Sequence, residues 1–265
     1  MRSKKRSSRL ASAVFALAFA APVCAQDMMR NVDLSGPQFT RAEMTREEVA
    51  AGADAARKRG TPADFSGKSL NGLDLSGLDL NGVNFRAARM NKAKLVGAKL
   101  DGAVLDQVWA MASDFSGASL KGAALFASQM QDAKFDGADL TGARITADFS
   151  RSSFHKAKFK DANLSADMKN QSMGLMRGVL KSADARDADF EGANMAQTDL
   201  QFANFSGANF TGASLMGADA GGADFRGAAL GGANLDDLDV TSARIDLAQE
   251  KALARAKNAS RAFRE

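Results

Sequence analysis

The sequence predicts an all-β repeat fold, a narrow prism of five-residue sides stacked on one another, with a short helix closing each end. Three observations predict it. Large apolar residues recur every five positions from Phe65 to Ile245. An Ala series runs two residues before them and a Gly series two residues after them, as in Ala98-Lys99-Leu100-Asp101-Gly102. The composition suits many copies of one small unit: 24 Gly and 17 Phe, but 1 Trp, 1 His, 1 Cys and no Tyr in 265 residues.

The elements follow in chain order. Arg2, Lys4, Lys5, Arg6 and Arg9 precede an uncharged run from Leu10 to Cys24, and Ala25 follows. A basic start, an apolar run and small residues at a cleavage point predict a secretory signal peptide over residues 1–25. The run falls short of the ~20 residues of a membrane span. Val23 stands before Cys24 where a lipidation signal would place a small residue, so ordinary cleavage after Ala25 is the reading. Cleavage removes the one Cys and five basic residues, leaving 30 Lys+Arg against 31 Asp+Glu, so the formal charge of +4 belongs to the leader. The expected location is periplasmic or secreted by bacterial export, with no transmembrane segment after cleavage.

Residues 26–44, with Gly36-Pro37, read as a flexible lead-in. Residues 45–62 read as an N-terminal capping helix: Thr45-Arg46-Glu47-Glu48 is a capping box, Ala50 to Arg59 suit a helix, and Gly60 and Pro62 stop it. The repeat then occupies 63–245. Steps of five run from Phe65 to Ile145, slip by one residue to Phe149, Phe154, Phe159 and Leu164, and resume after eleven at Leu175, continuing to Ile245. That gives 36 centres, of which only Ala110, Ala185 and Ala220 are not large and apolar.

A period of five matches neither the 3.6 of a helix nor the 2 of a long strand. It fits a short extended piece followed by a bend. In the extended piece the Ala and the large residue two positions later point inward, and the Asp or Asn between them points out. The next two residues, the second usually Gly, have turn chemistry. One unit buries too little alone, so the units must stack. The stretch 146–174 is irregular, and Ser165–Gly174 is expected to bulge from a corner, either as tolerated decay of the repeat or as a contact loop. After the repeat, Asp246-Leu247-Ala248-Gln249 resembles a second capping box, and residues 246–265 read as a C-terminal capping helix carrying Leu247, Leu253 and Phe263.

The A(D/N)LxG unit, as in Ala138-Asp139-Leu140-Thr141-Gly142 or Ala233-Asn234-Leu235, resembles the pentapeptide repeat proteins. The resemblance implies a right-handed quadrilateral β-helix with four units per coil. On that basis 36 units make about nine coils, and ~4.8 Å spacing gives a rod of about 43 Å. The family resemblance says little about activity; some members resemble duplex DNA in shape and charge and act on type II topoisomerases.

Function must therefore be read from the outer faces. No GxSxG, HExxH, P-loop or CxxC pattern is present, and His155, the one imidazole, lies among Lys156, Lys158 and Lys160. No catalytic residues, cofactor or metal site are expected. Met168, Met173 and Met176 with His155 make a poor soft-metal set, because Met also replaces Leu at repeat centres. The rod is polarised: Arg86 to Lys160 holds 12 basic and 7 acidic residues, and Asp184 to Asp239 holds 10 acidic and 2 basic. Trp109 stands in an outward position beside the weak centre Ala110, with Arg89 one coil away in the same column. It either folds over the gap beside Ala110 or anchors a partner.

These features predict an exported, non-enzymatic scaffold that binds an unknown protein or an anionic surface through a lateral face, with Arg89 and Trp109 as candidate contacts. The alternative is a DNA-mimic-type inhibitor of a nucleic-acid enzyme, a topoisomerase, acting through the acidic half. Binding to nucleic acid itself is not favoured, because Trp109 is the only Trp or Tyr and most Phe are inward centres. An end-to-end dimer is left open.

Overall fold

The backbone arithmetic of one unit explains the whole rod. Phe85 donates its N–H to the carbonyl of Val104 at 2.8 Å, Ala87 to Asp106 at 2.8 Å, and Asn84 back to Ala63 at 2.9 Å. Ala88 closes the corner by donating to the carbonyl of Phe85 at 2.8 Å. The fifth N–H, that of Arg86, goes to the Asn84 side chain at 3.0 Å. Every backbone donor of the unit thus has a partner, as a half-buried chain requires. Each regular corner places one residue in the left-handed region, at φ near +66° for Gly82, which is why Gly recurs there.

The computed structural model describes residues 36–168 and 176–265. The predicted signal peptide and residues 26–35 of the lead-in lie outside the described residues. Parallel pairing links outward residues twenty apart into four faces: Asp64 to Asn234, Ser69 to Asp239, Asp74 to Arg244 and Asp79 to Ala229, here called the first to fourth faces. The interior is filled by the centres, with Phe115 stacked on Phe135 at 4.8 Å and Phe159 on Phe190 at 4.7 Å. Offset stacking of this kind adds to the burial term.

Both irregularities fall on the corner between the first and second faces. Strand β1 (Ala124–Gln129) pairs in parallel with β2 (Arg144–Asp148), but the register shifts between Phe126↔Thr146 and Gln129↔Asp148. Two residues, Ala127 and Ser128, face the single residue Ala147, so this coil lacks one corner residue. In the next coil the same corner carries the excess: Asn163 pairs with Asn194 on the first face, and Val179 pairs with Asp148 and Asp199 on the second. These are consecutive sides, and the described sides number 35. The centre expected at Leu175 and most of the expected bulge Ser165–Gly174 lie outside the described residues; on either side of them Asp167 N–H donates to the Met176 carbonyl at 2.8 Å.

The N-terminal end is closed by residues that replace a missing coil. Within the lead-in, Pro37–Thr40 forms a short helix, α1. Glu43 N–H then donates to the Ser69 carbonyl at 2.8 Å, and Ser69 Oγ donates to the Arg41 carbonyl at 2.5 Å. The part of the lead-in beyond Gly36 is therefore fastened to the second face rather than free. Helix α2 (Arg46–Lys58) starts in a capping box of Thr45 with Glu48 and buries Val49, Ala53 and Ala56 over the first coil. A Cβ on Gly52 would come within 3.0 Å of the Phe65 ring. The Arg46 guanidinium donates to the carbonyls of Asp74 and Ser76, and that of Arg57 to Asp79. These are carbonyls that a preceding coil would have used, as Lys94 and Val96 are used by Leu75 and Gly77.

The C-terminal end departs from the expected helix. Leu247–Gln249, Ala252–Arg255 and Ala259–Arg261 are three short 3-10 turns. The expected capping box does form, with Asp246 N–H donating to Gln249 Oε1 at 3.0 Å, but it opens only a 3-10 turn; Asp246 also accepts from the N–H of Gly227, and Gln249 donates to the carbonyls of Phe225 and Ala228, which ties the start to the last coil. The chain then adds a partial coil: Lys257 pairs with Asp239, and β4 (Phe263–Arg264) pairs in parallel with β3 (Arg244–Ile245). Leu253 is buried beneath it.

Candidate interaction surface

The apolar centres are buried and stacked, so chemistry is confined to faces, corners and ends. Most outward Asp and Asn residues are occupied by the fold. Asp64, Asp74, Asp139 and Asp239 each accept the N–H two residues on, closing the adjacent corner. Corner carboxamides and carboxylates do the same for the next coil: Asn71 Oδ1 accepts from Asn91 N–H, Asn91 from Met111, and Asp106 from Phe126. Hydrogen bonds from the Ser66, Ser76 and Thr241 corners hold Asp64, Asp74 and Asp239 below the usual carboxylate range. The alternating column Asp74, Lys94, Asp114, Lys134 is stacked as its spacing implies. Among the described residues the ion pairs run elsewhere, as in Arg86–Asp106 at 3.2 Å and Arg151–Asp132 at 2.7 Å.

Arg89 and Trp109 are direct lateral neighbours on the second face, paired in parallel and both half-buried. The Arg89 Nε is buried without a hydrogen-bond partner. Below them, Gln131 Nε2 donates to Gln129 Oε1 and to Asp148 Oδ2, each at 2.8 Å, while its own Oε1 is buried and unpartnered. Further down the same face stand Asp199, Asp219 and Asp239. Burial pushes the Asp199 carboxyl up, the Gln201 N–H and Arg177 pull it down, and the charge of Asp219 adds to the rise. Arg177 lies 3.4 Å from Asp199.

An open groove of about 480 Å³ runs beside this face, at the corner between the first and second faces under the root of the bulge. Asp106, Phe126, Arg144, Thr146, Asn163 and Met168 line it. Phe126 and Met168 are exposed there. Phe202 projects from the corner between the second and third faces, 62% exposed, with φ +58° where Gly is usual. The sequence signal for Phe126 and Phe202 was available: both put an aromatic residue in a corner slot that elsewhere holds Gly, Ala, polar or charged residues and a few aliphatic ones such as Val96 and Met216. His155 sits on the corner between the third and fourth faces, Nδ1 3.7 Å from Asp187. Among the described residues no group of three or more His, Cys, Asp or Glu is placed to hold a metal ion, and no helix is long and apolar enough to cross a membrane.

Comparison with solved structures finds several proteins. Full-length QnrB1, a plasmid-mediated fluoroquinolone resistance protein, is 16% identical, with a TM-score of 0.49 over 67% of this chain and 82% of that one. HetL, a pentapeptide repeat protein involved in heterocyst differentiation regulation in Nostoc sp., is 22% identical over 75% of this chain and 98% of that one, with a TM-score of 0.29. A pentapeptide repeat protein of the Arabidopsis thaliana thylakoid lumen is 31% identical over 43% of this chain and 70% of that one, also with a TM-score of 0.29. No curated protein matches the chain. The family described as Pentapeptide repeats matches in 8 copies over residues 69–107, 112–144, 179–212 and 213–248. That match spans more than half of the chain, with the four-sided coil beneath it, and the protein belongs to the pentapeptide repeat family.

Proposed function

We propose that the protein is a non-enzymatic, exported β-helical scaffold that binds an anionic protein or surface through the second face and the corner beside it, with Arg89 and Trp109 as contacts. The observation that carries this reading is the grouping of Arg89 and Trp109 as paired neighbours within the basic coils. Arg144, Phe126 and Met168 line the groove around the corner. Positive charge around apolar anchors steers an anionic partner and gives it a place to bury surface. Export rests on the leader sequence, with the periplasm or the exterior as the place of action. The test is capture from the exported fraction of the source cells. Trp109→Ala combined with Arg89→Ser should weaken capture, and Asp219→Ser should leave it unchanged; the reverse pattern overturns the assignment.

A second reading keeps the acidic half as the working surface, a DNA-mimic inhibitor of a topoisomerase. The stacked column Asp199, Asp219, Asp239 favours it. Cell fractionation separates the two: an uncleaved, soluble cytosolic chain supports the second reading, and a processed chain outside the cytosol supports the first.

A further inference from the structure

The C-terminal end of the rod is finished on two faces only. Lys257 pairs beneath Asp239 on the second face, and β4 pairs beneath β3 on the third. Among the described residues nothing pairs beneath Ala229, the last residue of the fourth face, or Asn234, the last of the first. Between Asp246 and Arg255 the chain turns inward instead, burying Leu253.

The polar groups of this edge show what is missing. In the first coil Leu80 N–H donates to the Lys99 carbonyl at 2.7 Å, Gly82 to Asp101 at 2.8 Å and Phe85 to Val104 at 2.8 Å. Their counterparts in the last coil are Leu230, Gly232 and Leu235, whose N–H groups have no protein acceptor among the described residues. The Ala233 carbonyl, in the place of the Val83 carbonyl that accepts from Val104, is unused as well. The donors on either side are taken: Gly227 by the Asp246 carboxylate at 2.6 Å, and Asp237 by the Arg255 carbonyl at 3.2 Å. Leu230 is half-exposed, whereas the fourth-face centres from Leu80 to Phe210 are fully buried. An open slot of about 330 Å³ lies between this edge and the cap, lined by Gly232, Ala233, Asn234, Leu235, Ala252 and Arg255.

The depth of the step selects its occupant. The wall is short here by one strand, ~4.8 Å, because the cap projects a coil further on the other two faces. A second rod meeting this end would touch the cap first. A single extended segment fits the step and continues the parallel pairing that the cap has begun. It must present carbonyls with the spacing of Lys99, Asp101 and Val104, and an apolar side chain to roof Leu230.

We propose that the edge from Leu230 to Leu235 is a strand-addition site, taking an extended segment of a partner protein with the repeat's own pattern of small, apolar and corner Gly residues. This goes beyond the scaffold reading and concerns the end of the rod rather than a lateral face, so failure of either leaves the other standing. The probe is a fluorescein-labelled peptide copying Ala98–Leu105, the segment that fills the same places under Leu80, Gly82 and Phe85. It should bind the full chain with a rise in anisotropy, and the same residues in reverse order should not. Leu230→Pro removes a free N–H and no native hydrogen bond, and should weaken binding severalfold with circular dichroism unchanged. Amide exchange in the unaltered chain reads the site whether or not that variant folds. Leu230, Gly232 and Leu235 should exchange fast alone and severalfold more slowly with the peptide, while Leu80, Gly82 and Phe85 stay slow throughout. No binding, equal binding of the reversed peptide, or unslowed amides overturns the proposal. Protection of the three amides in the chain alone, together with sedimentation as a dimer, also overturns it by giving the edge to a second copy.

Discussion

The upper and lower halves of the second face run on one backbone and carry different chemistry. Above, Ser69, Arg89, Trp109, Gln129 and Asp148 form a mixed polar and aromatic strip with one cation and one anion, in which Ser69, Gln129 and Asp148 are buried. Below, Asp199, Asp219 and Asp239 form a half-buried acidic column. Away from the register shift at Gln129 the hydrogen-bond pattern of the two halves is the same, because it is made by the main chain. Met90 N–H donates to the Trp109 carbonyl at 2.6 Å as Leu200 N–H donates to the Asp219 carbonyl at 2.7 Å. The inward residues and corners determine the rod, and the outward slot is left to vary. Surface character can therefore change within a few coils at no cost to the fold.

The most severe way to break this contrast is to put lower-half chemistry where the repeat forbids it. Phe205→Asp would place a carboxylate among Phe225 at 5.4 Å and Phe210 at 5.3 Å, and should destabilise the chain by more than ~4 kcal/mol. Asn204→Asp, one residue away and outward, keeps its Oδ1 available to the Ser206 N–H and should shift stability by less than ~0.5 kcal/mol. Thermal melting of the two variants decides the matter; equal losses would mean that the inward and outward assignments are reversed.

The corner beside the acidic column gives a medium effect. Gly222 lies at φ +71°, and a Cβ there would meet the Phe202 ring at 2.6 Å. Gly212 lies at φ +67° with nothing within 4 Å. Both Gly→Ala changes carry the left-handed penalty of ~1–2 kcal/mol, and Gly222→Ala should cost more by displacing the ring. Adding Phe202→Ser should bring the two glycine variants level in denaturant unfolding. A persistent gap would show that the Phe202 ring does not rest on this corner.

The smallest effect tests the electrostatics. Asp199 has a folded-state pKa above its unfolded value, so its ionisation opposes folding. Stability from this site is fully present below the ordinary carboxylate value and is lost as pH rises through the raised one. Asp199→Asn should therefore stabilise the chain slightly at pH 7, with the gain vanishing as pH falls below the ordinary carboxylate range. Asp224 behaves oppositely. The Arg226 guanidinium holds its carboxyl down, so its contribution is present at neutral pH and lost as pH falls through the lowered value. Denaturation of Asp199→Asn and Asp224→Asn across that range should give changes of opposite sign.

The repeat was legible because backbone satisfaction demands the same residue types at every turn. Phase, inward positions and the corner glycines all follow from the period of five. The excess of residues between Asn163 and Val179, which pair on consecutive sides, is what the period alone does not place. At the C-terminal end the capping box of Asp246 and Gln249 was legible, but the two residues also bond to Gly227, Phe225 and Ala228 in the last coil, and three 3-10 turns follow in place of one helix, a demand that local sequence does not display. The outward Asp and Asn were read as solvated surface, whereas many are acceptors for corner N–H groups. Arg89 and Trp109 were placed together by the twenty-residue coil alone.

The pinched root between Asp167 and Met176 has an engineering consequence. Asp167 N–H bonds to the Met176 carbonyl at 2.8 Å and Gly178 N–H to the Leu164 carbonyl at 3.0 Å, so the sequence leaves and re-enters the wall at a single doorway. The neighbouring coil tolerates one residue fewer at the same corner, so coil length is already decoupled from stacking there. A foreign loop or small domain spliced at this doorway would ride on the rod as a pendant, without re-indexing the sides above or below it.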